Sequence, residues 1–145
     1  MREVRRNALV AASPATVFDL INGVEQYPLF LPWCTQTHVE SRSESQMVAT
    51  LYVSRGPLRT DFTTRNELDP YRSVRISCVR GPFESLEGLW TLTPLGEAGC
   101  RVELLMRFQF SNAVSGAILE PVFAQMAGSL VDAFVSRART IARGP

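Results

Sequence analysis

The chain has no lysine. All fifteen of its basic residues are arginine, and they face fourteen acidic residues for a formal net charge of +1. That balance removes the bulk electrostatic case for a nucleic-acid or anionic-membrane binder. Arginine in place of lysine fits a G·C-rich genome and carries no functional reading. Histidine occurs once, at His38, and the three cysteines, Cys34, Cys78 and Cys100, are widely spaced with no CxxC pair. No zinc ligand set and no disulfide framework follow from such an inventory, so no metal is expected and the thiols read as reduced. No glycine-rich phosphate loop is present. No apolar run approaches the ~20 residues that span a bilayer. The apolar stretch Ala8–Ala12 after the basic start is too short for a signal-peptide core. A cytoplasmic protein is expected, touching a membrane only peripherally.

What the chain does have is 145 residues, 46% of them hydrophobic, enough for one domain spanning 1–145 with a full core. A first strand is expected over residues 3–12. Ser13-Pro14 then starts a short helix with Val17, Phe18, Leu20, Ile21 and Val24 on its apolar side, ending near residues 23–25. The greasy segment Tyr27–Cys34 is broken by Pro28 and Pro32 and cannot be a long regular element. It either plugs one end of the core or forms a flap at a pocket mouth, where Trp and Tyr would meet a bilayer.

From about residue 36 to 110 the hydrophobic period is two. The inward rows are Met47, Ala49, Leu51 and Val53; Leu58, Thr60, Phe62 and Thr64; Val74, Ile76 and Cys78; Leu86, Gly88, Trp90 and Leu92; and Cys100 through Phe110. Turn signals separate them, which predicts an antiparallel meander with one buried face. After Ser111-Asn112 the step becomes three or four, through Leu119, Phe123, Met126, Leu130, Phe134, Ala138 and Ile141. That predicts one amphipathic helix from near Ala113 to near Arg143, roughly 45 Å long, kinked or divided at Pro121. Neither the helix nor the sheet buries its apolar face alone, so the helix must cover the sheet.

Candidate chemistry is sparse. His38 sits among Thr37, Glu40 and Ser41 on a polar strand without a positioned acid–base partner, so it is expected on the surface. No two carboxylates share the buried parity of neighbouring strands, and no catalytic residue is expected. Cys34, in the exposed-looking apolar loop beside Trp33, has no flanking base to lower its pKa and reads as structural rather than redox-active. Phe30, Trp33, Phe62, Trp90, Phe108, Phe123 and Phe134 should converge between sheet and helix. Each alone is explained as core. As a set, beside inward Thr60, Thr64, Asn66 and Gly88, they point to an apolar pocket with few polar groups. Its lining is predicted to be Phe30, Trp33, Phe62, Thr64, Trp90, Met106, Phe108, Phe123, Met126, Leu130 and Phe134. Three arginine groups form local basic patches: Arg2, Arg5 and Arg6; Arg55 and Arg59; and Arg137, Arg139 and Arg143. Such patches suit phosphate, although a helix C-terminus also explains the last.

The order strand, short helices, meander and long C-terminal helix resembles the α+β helix-grip fold of the START and polyketide-cyclase-like superfamily. Tyr27-x-x-Phe30-Leu31-Pro32-Trp33-Cys34 is similar to a signature of the coenzyme Q-binding family. Gly81-Pro82-Phe83-x-x-Leu86-x-x-x-Trp90 is similar to its second signature, and Met126 through Phe134 to Arg137-Ala138 resembles its terminal helix. The resemblance implies a curved antiparallel sheet of about six or seven strands around the long helix. It also implies binding of ubiquinone or a similar isoprenoid lipid in support of respiratory electron transport, with a possible place on the inner membrane and no required cofactor. The alternative it implies is a ribosome association toxin that binds the large ribosomal subunit and blocks subunit joining. A polyketide cyclase ranks third, since no acid–base pair is present. The lack of lysine departs from the pattern: any lysine contact of relatives is made here by arginine or is missing.

Overall fold

A computed structural model describes residues 1–142. Its strands are β1 (Arg2–Val10), β2 (Cys34–Arg42), β3 (Gln46–Arg55), β4 (Leu58–Asp69), β5 (Ser73–Arg80), β6 (Phe83–Leu95) and β7 (Gly99–Phe110). Its helices are α1 (Pro14–Asn22), the single turn α2 (Tyr27–Phe30) and α3 (Ala113–Ala142). All seven strands form one antiparallel sheet in the order β1-β7-β6-β5-β4-β3-β2. The meander is local in sequence, and only β1 crosses to the far edge, beside β7. Register shifts in β2, between Thr63 and Thr64 of β4, and near the start of β6 bend the sheet, as bulges do. The result is the α+β helix-grip architecture.

The local signals explain the element ends. Ser13 caps α1 by accepting from the Thr16 backbone N–H at 3.2 Å, with Pro14 in the first turn. Asn112 Oδ1 accepts from Val114 and Ser115 at the start of α3, at 2.9 and 3.1 Å. On β7, Cys100, Val102, Leu104, Met106, Phe108 and Phe110 are all buried, as strict alternation requires. α3 lays its apolar side mainly on β1 and β7 and barely touches β4.

Three expectations need correcting. β1 ends at Val10, because the Ser13 cap and α1 follow at once. α3 is one continuous helix through Pro121. Pro121 is exposed, so the carbonyl that loses its partner one turn earlier is left on the solvent side. Ile141 is exposed rather than part of the buried stripe. By length and composition α3 also passes for a membrane-crossing helix, although no unbroken apolar run suggests it. Arg143 lies outside the described residues.

Candidate functional site

Because α3 leans toward the β1–β7 side, the inner face of β3 and β4 is left partly uncovered, and a cavity lies there. Its volume is about 70 Å3. Since a single water needs roughly 10–15 Å3, that is room for no more than a handful of waters. The sheet supplies Ala49, Leu51, Phe62, Thr64, Asn66, Ile76, Leu86, Trp90 and Met106, and α3 supplies Phe123, Met126, Ala127, Leu130 and Phe134. Val24, Tyr27 and Trp33 close one end. Gly88 leaves room in the floor: a Cβ there would lie 3.3 Å from Ile76 Cδ1 and 3.6 Å from Met106 Cε.

Two aromatic clusters flank the space. In one, Phe123 meets Phe108 at 4.7 Å, Phe83 at 5.0 Å and Phe62 at 5.9 Å between ring centroids, edge to face. In the other, Phe134 meets Trp90 at 5.2 Å, Phe30 at 5.3 Å and Tyr27 at 5.4 Å. Such edge-on pairs add a little beyond area burial and fix the ring orientations.

Of the predicted lining, Trp33, Phe62, Thr64, Trp90, Met106, Phe123, Met126, Leu130 and Phe134 border the cavity. Phe108 and Phe30 do not. Phe108 is fully buried behind Phe123, on the side that α3 covers. Phe30 is half-buried and packs outside Phe134, with the Arg137 guanidinium 5.5 Å over its ring. The predicted set omitted Val24, Tyr27, Ala49, Leu51, Asn66, Ile76, Leu86 and Ala127. Strand parity already pointed Ala49, Leu51, Asn66, Ile76 and Leu86 inward. Thr60, on the same parity, is half-buried and lies off the cavity, its hydroxyl 3.3 Å from the Asp61 carbonyl.

The segment Tyr27–Cys34 closes the core end. Tyr27, Leu31, Trp33 and Cys34 are buried while Leu29 stays exposed. The Tyr27 hydroxyl donates to the Ile21 carbonyl, and burial pushes its pKa up. From the neighbouring edge, Arg42 grips this end with two 2.8 Å hydrogen bonds to Glu25 and one of 3.1 Å to the Asn22 carbonyl. Those bonds hold the Glu25 carboxyl down to about 2. Cys34 is not in an exposed loop, as expected from sequence, but buried at the start of β2. Desolvation pushes its thiol up to about 11, far from a reactive thiolate. Cys78 and Cys100 are also raised by burial.

Elsewhere, His38 is exposed on the edge strand β2. Among the described residues no three His, Cys, Asp or Glu side chains group to hold a metal. The arginine patches differ in kind. Arg5 and Arg107 both bond Glu3, at 2.6 and 2.9 Å. The Arg6 guanidinium lies against Gly128 of α3. Arg55 and Arg59 flank the β3–β4 turn at Gly56-Pro57, both exposed and without a carboxylate partner among the described residues.

Comparison with known proteins places these features in context. The pattern for polyketide cyclase / dehydrase and lipid transport proteins matches residues 10–135. The ribosome association toxin RatA of Pseudomonas aeruginosa is 41% identical over 138 residues, 95% of this chain and 96% of that protein. The mitochondrial coenzyme Q-binding protein COQ10 homolog B of Xenopus laevis is 25% identical over 144 residues, 96% of this chain and 59% of that protein. The crystal structure of the Zhui aromatase/cyclase from a Streptomyces species superposes with a TM-score of 0.88 at 19% identity. It covers 99% of this chain and 96% of that one, a likeness of fold.

Proposed function

The chain belongs to the polyketide cyclase / dehydrase and lipid transport family, and from that premise we propose that it binds the ribosome and opposes the joining of its subunits. The observation that carries this reading is the likeness, at 41% identity along 95% of the chain, to a protein named as a ribosome association toxin. The size of the cavity supports the same order of preference. At about 70 Å3 it falls well below the ~300–1,000 Å3 of pockets that enclose drug-sized ligands, so a long prenyl tail finds no room. Ubiquinone binding in support of respiration therefore takes second place.

A cyclase would need a proton donor and acceptor in the cavity. The polar side chains there are Thr64 and Asn66, which do not titrate, beside Tyr27, whose hydroxyl is engaged by Ile21, and two indoles. That lining supports binding over catalysis.

For ribosomal RNA the candidate cations are Arg55 and Arg59, both exposed and presented together on a hairpin tip. Phosphate contacts made by them would release counterions and weaken with salt. The test adds purified protein to separated ribosomal subunits and follows joining by sucrose-gradient sedimentation. The wild type should deplete joined ribosomes, and Arg55→Ala/Arg59→Ala should need about tenfold more protein, with the gap largest at low salt. If saturating wild-type protein leaves subunit joining unchanged at low salt, the reading fails.

The second reading, an apolar small molecule in the cavity, is favoured by one specific observation: two buried polar side chains, Thr64 and Asn66, border an otherwise apolar space. The likeness to the coenzyme Q-binding homolog agrees with it.

A further inference from the structure

Asn66 is 6% exposed, and its side chain faces the cavity from the middle of β4. Its carbonyl oxygen accepts a 3.0 Å hydrogen bond from the Thr64 hydroxyl, two residues earlier on the same face of the strand. The Thr64 bond orients the amide and uses its oxygen. No protein hydrogen bond from the amide N–H2 is found among the described residues, and the nitrogen is open to water rather than sealed in the core. An amide donor that faces the cavity is free to bond whatever occupies it, on a strand whose other inward residues are apolar or small. The sheet around it gives no reason for an amide here: its cross-strand neighbours are Met47 and Ile76.

We propose that Asn66 is a hydrogen-bond donor that selects a neutral, ring-sized ligand by a carbonyl oxygen, with Thr64 as the residue that positions its amide. This rests on the second reading above, that the cavity holds a small molecule. Three observations set the ligand class. Among the described residues no charged side chain borders the space, so a carboxylate or phosphate would be buried without a counter-ion. The remaining polar atoms of the lining are N–H donors on Trp33 and Trp90, and the Tyr27 hydroxyl is already donated to Ile21. Donors in the wall call for an acceptor on the ligand. The volume of about 70 Å3, below the ~150 Å3 of a cavity that encloses benzene, excludes a long chain and takes a ring only as the lining adjusts around it.

Tetramethyl-1,4-benzoquinone, tetramethylbenzene and decanoate make a suitable probe set, because they differ in carbonyl oxygen, charge and length. The fully substituted quinone also resists addition by the protein's thiols. Equilibrium dialysis against the full chain should show the quinone binding about tenfold more tightly than the hydrocarbon, and decanoate not at all. Asn66→Leu should remove the preference for the quinone while leaving the hydrocarbon bound. Thr64→Val, which keeps the amide but releases its orientation, should lose part of the preference. Thermal denaturation of both variants confirms that they fold, and Thr64→Val stands in should Asn66→Leu not fold. If quinone and hydrocarbon bind the wild type equally, or Asn66→Leu keeps the preference, the assignment of Asn66 is overturned and the cavity reading survives. If neither neutral probe binds, the cavity reading falls and the role of Asn66 with it.

Discussion

The two halves of the interior are built from the same strand pattern and end up unlike. On the β1–β7 side, α3 lies directly on the sheet, and Val102, Leu104 and Phe108 are buried with almost no exposure. On the β3–β4 side the helix stands off, and the inward row becomes Ala49, Leu51, Thr64 and Asn66 around a hollow. Where the helix touches, the inward row is uniformly large and apolar; around the hollow, Ala49, Thr64 and Asn66 are mixed in among large residues such as Leu51 and Phe62. An inward position is therefore core or lining according to what lies above it, not according to its parity.

The sharpest way to break that contrast is to remove a ring from each half. Phe108→Ala should cost about 3–5 kcal/mol, the usual toll of deleting a packed aromatic ring. Trp90→Ala, which removes a side chain already bordering space, should cost less by about 1 kcal/mol or more. Urea denaturation of both variants measures the difference. Equal losses would mean that the hollow closes up in solution.

Adding volume sharpens the comparison from the other side. Ala138 is fully buried on the α3 face, and Ala138→Leu should destabilise by about 1–3 kcal/mol through overpacking. Ala49→Leu projects into the hollow and should change stability by less than about 1 kcal/mol, in either direction. Thermal melts of the pair decide it.

A smaller effect separates the closed end of the cavity from the rest. Glu25 has its folded pKa depressed from the ordinary 4.5 to about 2 by its bonds to Arg42. A depressed carboxylate contributes stability that is fully present above about pH 4.5 and lost as pH falls through that value toward 2. The partners are roughly half exposed, with side-chain accessibilities of 44% and 52%, so solvent screening keeps the contribution under about 1 kcal/mol. Denaturation midpoints of wild type and Glu25→Gln should converge as pH drops from 5 to 2. Parallel curves would show that the pair does not hold that end. Smallest of all, His38→Ala should stay within about 0.5 kcal/mol and leave ribosome binding intact, as an exposed edge residue should. A folded but inactive His38 variant would reopen acid–base chemistry.

Much of this was legible in the chain before any fold was known. The alternation from Cys100 to Phe110 and the stripe from Leu119 to Ala138 named the two faces that had to meet, because a period of two and a step of three to four admit one geometry each. Ser13 and Asn112 marked both helix starts through capping chemistry. What stayed hidden was everything that depends on the lateral placement of α3. Phe108 and Met106 sit two residues apart on one face of β7, yet only Met106 reaches the cavity. Cys34 read as exposed because the proline-broken segment before it has no period from which burial could be judged.

By itself, then, the sequence determined the elements and their inward faces, since each follows from local spacing and residue type. Only the tertiary structure decided which inward residues border a space, how small that space is, and which arginines remain without acidic partners. Those properties arise from distances between segments far apart in the chain. The hollow beside Asn66 exists because α3 packs on β1 and β7 and leaves the opposite flank of the sheet incompletely covered.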